Sequence, residues 1–399
     1  MTKEKEVILG VNTSHDTAVA VIEDGKVKHV YEEERSRRSK YWSPSEDNGG
    51  EEAYDELGLV CIEHKQLHSP DHVAFASFDR RQFDVNFTSK AIQDRELQQA
   101  LIRDFSAQQL SRKRLSEIQQ EHGTSVFNKS HVADGEDNLI NTSLLDQIQP
   151  KDKIDFKHEH HYFHAVCGSH LSPYDEALCI TWDGGGWMTH FDDWPGYQEI
   201  ECIWHFKDNK VTPLYKRYSN HRMLSDIRNS MNAGGWGEDP LMCLTDETYD
   251  YDGVESVFTS YPSMGMNFSN MSYALGCDEH GRAAGKVMGM ASYGALQEDG
   301  GMGNIWNKHT AANKLEHDSL VHATGVIQKA LDLVPDCKNI VLSGGFSLNC
   351  TNNAKYLKLF PDVQFFVDPI PHDGGTAVGA AIDMYNDLNG EENVIDTNS

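Results

Sequence analysis

The chain predicts a duplicated α/β fold, and two observations lead there. A phrase made of a strand, a polar or glycine turn and a hairpin-linked pair of strands occurs twice, about 170 residues apart, as expected of two related halves. Glycine turns also recur at strand ends, the positions where a backbone can approach a ligand closely. The division that follows is one duplicated unit over 1–399: a first half at 1–170, carrying an insertion at 41–157, and a second half at 171–399.

The first phrase opens with the apolar strand Val7–Val11 and the polar turn Asn12-Thr13-Ser14-His15-Asp16. Ala18–Ile22 is a second strand, Glu23-Asp24-Gly25-Lys26 a hairpin turn, and Val27–Glu32 a third strand. The charged run Glu32-Glu33-Glu34-Arg35-Ser36-Arg37-Arg38-Ser39-Lys40 closes it. Within the insertion, His72–Ala76 reads as a strand and Ala91–Gln120 as a helix bearing Arg112-Lys113-Arg114; the remainder is polar and weakly patterned. The second phrase begins with the strand Ala177–Asp183 and the turn Gly184-Gly185-Gly186, after which Trp187–Phe191 can begin a strand. Glu199–Phe206 and Val211–Tyr218 are joined by the hairpin turn Asp208-Asn209-Lys210. A polar, glycine-bearing stretch follows from Met223 to Gly253. Helices are expected at Ser263–Leu275, His317–Leu333, from about Ser347, and at Thr376–Leu388; strands at Asn339–Leu342 and Gln364–Val367. A fold of this kind holds a nucleotide or substrate in the cleft between its halves. Lys286, between Gly285 and Gly289, is suited to reach an anion, although the segment is not a P-loop.

The net charge of −27 argues against nonspecific adhesion to nucleic acid, which depends on neutralising phosphates. No apolar run approaches the roughly 20 residues of a membrane span, and the polar start has no secretory signal. No membrane partner and a cytoplasmic location are expected. The eight cysteines form no C-x-x-C pair and read as reduced core residues.

The densest chemistry lies in Lys157-His158-Glu159-His160-His161-Tyr162-Phe163-His164. On a helix, His160 and His164 share one face, with Cβ atoms about 5–6 Å apart. Both rings can then reach one metal ion. The segment is not the metalloprotease motif, because Tyr162 stands where H-E-x-x-H needs histidine. Asp183 and His372-Asp373 lie near glycine turns further on, and two imidazoles with one or two carboxylates suit a divalent first-row metal.

Several blocks taken in order resemble the O-carbamoyltransferases, the family of nodulation-factor, tobramycin and cephamycin carbamoyltransferases. The blocks are His15-Asp16; Glu32-Glu33-Glu34-Arg35 with Arg38 and Lys40; His160-His161-Tyr162-Phe163-His164-Ala165; and Asp183-Gly184. They continue through Gly285-Lys286-Val287-Met288-Gly289, Gly344-Gly345 with Asn349, and Asp373-Gly374 with Gly379-Ala380-Ala381. Ser36 replaces a usual aromatic and Tyr41 a usual histidine.

The resemblance implies a duplicated actin-like, sugar-kinase-like ATPase fold with a central interdomain cleft. It implies a metal, iron(II) or another divalent transition ion, held by His160, His164, Asp183 and Asp373. It implies carbamoyl-adenylate as donor, made from ATP and carbamoyl phosphate, and a hydroxyl as acceptor. Two-part members of the family carry a C-terminal YrdC-like domain that makes the adenylate. Here 18 residues follow Ala381. The expectation is therefore a transfer domain that works with a separate adenylate-forming protein, or one that handles ATP and carbamoyl phosphate itself.

On the residues, His15 is the candidate general base, with a reference pKa suited to neutral pH, and Asp16 orients it or the turn. Lys40 and Lys286 are candidates for phosphate contacts, with Arg35 or Arg38 as a clamp. Gly184, Gly185, Gly344, Gly345 and Asn349 are expected at the nucleotide. The acceptor of first choice is a hydroxymethylated pyrimidine, free or in DNA, such as hydroxymethylcytosine DNA guided by Arg80-Arg81 and Arg112-Lys113-Arg114. The alternatives are a sugar or antibiotic hydroxyl, a sugar-kinase-like phosphotransferase using ATP and Mg, and a nucleotide-binding partner protein without catalysis.

Overall fold

A computed structural model describes residues 6–14, 16–38, 40, 59–77, 147–152, 154–156, 159–186, 197–219, 246–251, 253–259, 261–278, 281–294 and 308–390. The chain forms two compact units, Met1–His170 with His372–Ser399, and Leu171–Pro371.

The first unit holds β1 (Val7–Asn12), β2 (Ala18–Glu23), β3 (Lys26–Glu32), β4 (His72–Ser77) and β5 (Ile154–Phe156). They form one sheet in the order β3-β2-β1-β4-β5. β1 runs antiparallel to β2 and parallel to β4; β4 is parallel to β5. Among the described residues of the first stretch of chain, the helices are α1 (Glu33–Arg37), α2 (Val60–Lys65) and α3 (His160–Leu171). The β2–β3 turn places Asp24 and Gly25 at φ 47° and 73°, the left-handed pair that matches strand twist. The N-terminus of α2 has no side-chain cap of its own. The buried carboxylate of Glu33 takes that role, accepting from the Val60 and Cys61 amides at 2.6 and 3.1 Å.

The second unit holds β6 (Glu176–Trp182), β7 (Gln198–Lys207), β8 (Lys210–Ser219), β9 (Glu247–Tyr251), β10 (Val254–Thr259), β11 (Asn339–Ser343) and β12 (Gln364–Val367). Its helices are α4 (Met264–Ala274), α5 (Ala284–Ala291), α6 (Lys308–Leu333) and α7 (Cys350–Leu359). The strand order is β12-β11-β6-β7-β8-β10-β9. The run β8-β7-β6-β11-β12 repeats β3-β2-β1-β4-β5 in order and direction. The duplication expected from the two phrases is thus visible in topology, extended in the second unit by β10 and β9. Ser263 caps α4, its Oγ accepting from the Met266 amide at 2.9 Å. Leu178, Ile180, Ile203, Ile340 and Leu342 from the sheet and Ile327 and Ala330 from α6 share the core.

The final helix, α8 (Gly374–Asn389), departs from the expected division. The residues after 371 belong with the first unit, not with a second half at 171–399. The cause is the run Gly374-Gly375-Thr376-Ala377-Val378-Gly379-Ala380-Ala381, buried throughout. Its small side chains let α8 lie against β1 on one side, where a Cβ on Gly10 would run into the Ala377 carbonyl. On the other side, a Cβ on Gly379 would run into the Phe163 carbonyl of α3. β4 and β5 fall inside the insertion expected at 41–157, and both are strands of the first sheet. The helix expected at 91–120, the start of a strand at 187–191 and the glycine-bearing Gly234–Gly237 lie outside the described residues. Of the seven described cysteines, five are buried, Cys277 is half-buried and Cys350 is exposed. Among the described residues, no helix is long and apolar enough to cross a membrane.

Candidate metal centre

α3 is buried almost all round, with His161 and Phe163 to His170 inside, so its sequence shows no polar face. His164 is fully buried and the His160 side chain is 12% exposed. One turn apart, their Nε2 atoms face each other at 3.2 Å. α8 begins beside them, because the glycine contact with α3 holds the two helices close. Asp373, at the N-terminus of α8, places Oδ1 3.5 Å from His160 Nε2 and 3.7 Å from His164 Nε2.

The circle through these three atoms has a radius of about 2.0 Å, against the roughly 2.0–2.2 Å at which nitrogen and carboxylate ligands hold a divalent first-row ion. Three such ligands would leave a divalent ion free to take further ligands. The donor set therefore fits the metal that the sequence led us to expect. Two neutral imidazoles and a carboxylate also suit iron(II) in kind.

The turn before β2 meets this centre. Ser14 Oγ donates to Asp373 Oδ2 at 2.9 Å, and Asn12 Nδ2 donates to the Asp373 carbonyl at 3.0 Å. His372, next to the ligand, lies 3.1 Å from Glu32 Oε1 through Nε2 and 3.8 Å from Asp16 Oδ2 through Nδ1. Burial opposes the charge on His372, but the hydrogen bond to Glu32 and the nearby carboxylates outweigh it and raise its pKa. The hydrogen bond from His372 is the chief reason that Glu32 is lowered to about 2; burial opposes it, and Arg35 adds to the lowering.

The other expected residues come from several elements. Asp183 directly follows β6 in the second unit, and its Oδ1 accepts from the Gly345 amide at 3.0 Å. Gly344 lies under the Trp182 carbonyl at φ +84°, a conformation that glycine adopts without strain. The Gly184 carbonyl accepts from Ser263 Oγ at 2.7 Å, and Gly185 borders the Gln198 side chain. These strand-end residues therefore form one connected turn region within the second unit. Lys286 stands in the first turn of α5, its Nζ donating to the Cys277 carbonyl at 3.1 Å. Asn349 is buried and caps α7, with Oδ1 accepting from the Asn352 amide at 3.1 Å and Nδ2 donating to Glu316 Oε2 at 3.1 Å. Its carboxamide thus shapes the loop behind Gly344-Gly345. Arg38, left-handed after α1, and Lys40 are exposed. Arg35, the alternative clamp, pairs with Glu32 at 2.6 Å. His15, Arg80, Arg81 and Arg112 to Arg114 lie outside the described residues. Asp16 stands near His372, a partner from the far end of the sequence.

The sequence reading named Asn12, Ser14, Glu32 and His372 only within longer stretches and gave none of them a role. Asn12 and Ser14 were in view as a polar turn, but their partner is Asp373, 361 and 359 positions away. Only folding brings them together.

The repeated sheet topology and the two-histidine, one-carboxylate triad define a duplicated α/β protein with a candidate metal centre. Residues 7–327 and 318–382 match the family described as Carbamoyltransferase N-terminus. The chain belongs to that family. Its relatives include the uncharacterized protein sll1178 of Synechocystis sp., 23% identical over 403 residues, covering 95% of this chain and 57% of that protein. The nodulation protein NolNO of Sinorhizobium fredii is 47% identical over 53 residues, 13% of this chain and 8% of its own length. Among solved structures, full-length HypF in a phosphate- and nucleotide-bound form is similar at 12% identity and TM-score 0.49, over 98% of this chain and 57% of HypF. A ROK family glucokinase from Streptomyces griseus with glucose and AMPPNP is similar at 12% identity and TM-score 0.40, over 95% and 98% of the two chains. The chain thus spans about 57% of the length of sll1178 and of HypF.

Proposed function

We propose that the chain is the transfer unit of a metal-dependent O-carbamoyltransferase. The donor is carbamoyl-adenylate, derived from ATP and carbamoyl phosphate. The acceptor oxygen bonds to the carbamoyl carbon, the bond from that carbon to the phosphate oxygen of AMP breaks, and the hydroxyl proton passes to a base. His15 is the proposed base and Asp16 its neighbour in the turn. Lys40, Arg38 and Lys286 are proposed for the phosphate, and Gly184, Gly185, Gly344, Gly345 and Asn349 for the adenosine side. His160, His164 and Asp373 would hold the metal, with Asp183 proposed as a fourth ligand and iron(II) as the first assignment. When bound, a divalent ion supplies Lewis-acid stabilisation of charge developing on the carbamoyl oxygen. The observation that carries the reading is the size of the triangle formed by His160 Nε2, His164 Nε2 and Asp373 Oδ1. Family membership supports the choice of carbamoyl transfer.

The finer proposal is that the acceptor is the hydroxymethyl group of a modified pyrimidine, in a nucleotide or in DNA such as hydroxymethylcytosine DNA, with the adenylate supplied by a separate adenylate-forming protein. Mass spectrometry of candidate acceptors, incubated with the protein, ATP and carbamoyl phosphate, tests it. A carbamoyl mass gain on the pyrimidine supports the whole proposal. A gain on a sugar or antibiotic hydroxyl moves the acceptor, and a phosphoryl gain refutes the reaction class. Steep loss of DNA binding with added salt is expected if the acceptor is DNA. Metal analysis of purified protein should find about one ion per chain, and the double variant His160→Ala, His164→Ala should hold none, two of its nitrogen ligands being gone.

A further inference from the structure

Asp373 occupies the N-cap position of α8 without using its side chain as a cap. Aspartate at this position ordinarily lends an oxygen to the amides of the first turn. Here the first turn is closed by backbone: the Gly375 amide bonds to the His372 carbonyl at 2.8 Å and the Thr376 amide to the Asp373 carbonyl at 3.0 Å. Thr376 Oγ1 donates to that same carbonyl at 2.6 Å. The carboxylate is thereby released, and its two oxygens have different surroundings. Oδ1 faces His160 and His164, whereas Oδ2 accepts from Ser14 Oγ at 2.9 Å.

The direction of the Ser14 hydrogen bond is forced. Asn12 Nδ2 lies 3.0 Å from Ser14 Oγ and can only donate to it. The hydroxyl has one proton, and a carboxylate can only accept. That proton therefore belongs to Asp373. Ser14 is itself held by its amide on Asn12 Oδ1 at 3.1 Å and by its carbonyl, which accepts from Thr17 Oγ1 at 2.8 Å. Asn12 is fully buried, and Thr17 is 2% exposed.

We propose that Ser14, braced by Asn12, is a positioning residue for the metal centre. It occupies Oδ2 and fixes Asp373 as a ligand through Oδ1 alone. The inference rests on the metal-binding reading above and concerns a residue that touches none of the proposed reacting groups. Ligating carboxylates held by an outer hydrogen bond typically lose about ten- to a hundredfold in metal affinity when that partner is removed.

The test uses the full chain and cobalt(II), which binds nitrogen and oxygen sites at least as tightly as iron(II) and reports its ligands through visible absorption. Dissociation constants come from competition with a chelator, for wild type, Ser14→Ala and Ser14→Thr. The expected result for Ser14→Ala is a loss of about ten- to a hundredfold with a shifted cobalt spectrum. The expected result for Ser14→Thr, which keeps the hydroxyl, is near-wild-type binding and spectrum. Metal-free melting temperatures should agree among the three, since a merely structural role would lower that of Ser14→Ala. Wild-type affinity and spectrum in Ser14→Ala would overturn the inference while leaving the metal centre standing. Failure of Ser14→Thr to recover binding would overturn the hydroxyl's part in it. A wild-type protein that takes up no cobalt(II) would overturn the centre, and this inference with it.

Discussion

Replacing Gly379 by alanine should weaken the metal centre from a distance. Gly379 sits where α8 crosses α3, and the new Cβ would run first into the Phe163 carbonyl oxygen, with the carbonyl carbon at 2.7 Å and the Phe163 Cα at 2.8 Å. Ordinary contact begins near 3.4 Å, so clearing the carbonyl carbon alone takes about 0.7 Å, and clearing the oxygen takes more. The obstacle is backbone, so no side-chain rotation relieves it. Overpacking of this kind costs about 1–3 kcal/mol, which for a unit of this size lowers the melting temperature by roughly 2–12 °C. Asp373 lies six residues away on the same helix, about 9 Å along its axis, and moves with it. A displacement of about 0.7 Å or more exceeds the roughly 0.2 Å by which ligand distances vary in a good site. Calorimetry of metal-free Gly379→Ala should show the lower transition. Chelator competition should show weaker metal binding than in wild type under identical conditions. If the variant melts as wild type and binds metal as tightly, packing of α8 against α3 does not set the ligand geometry.

Glu33 and His322 give two further predictions. Glu33 is buried, accepts the first amides of α2 and pairs with Arg37 at 2.9 Å; Glu33→Ala leaves those amides and Arg37 without it and should destabilise by about 3–5 kcal/mol, read by urea unfolding. His322 in α6 lies 2.6 Å from Glu201 Oε2, whose charge raises the histidine pKa against the opposing effect of burial. A raised folded pKa stabilises fully below the unfolded value near 6.5 and ceases to do so as pH rises through the folded value. The loss of stability in His322→Gln should therefore be larger at pH 5.5 than at pH 9, measured by denaturant midpoints at both. Equal losses would show that the ion pair does not contribute through its charge.

Much of the fold was legible because the signals are local. Asp24-Gly25 and Asp208-Asn209 announce hairpins by residue type, and both turns have the left-handed backbone those residues favour. Unbroken runs such as Ala177–Trp182 announce buried strands, and the central β6 is such a strand. The partner of α8 was not legible. A helix of small residues states that something approaches closely, but not whether the neighbour is the strand before it in sequence or one more than 360 positions back, such as β1. The spacing of His160 and His164 set their common face by helix geometry alone. The neighbourhood of Asp373 depended on a long-range return of the chain.

That return also explains why the turn at Asn12–Ser14 was misjudged in emphasis. A turn following an apolar strand attracts notice for its ionisable members, here His15 and Asp16. In the folded chain the neutral residues Asn12 and Ser14 make the described hydrogen bonds to Asp373, and Asp16 stands by His372. The physical reason is directional. A carboxylate that must present one oxygen to a cation cannot have a second cation on its other oxygen without losing charge density at the first. A neutral hydroxyl orients Oδ2 while leaving the negative charge of Asp373 available on the side facing the imidazoles. An arginine or lysine in place of Ser14 would give a stronger bond and a poorer ligand. The residues that serve a metal ligand best at its far side are therefore the ones that a search for charged groups passes over.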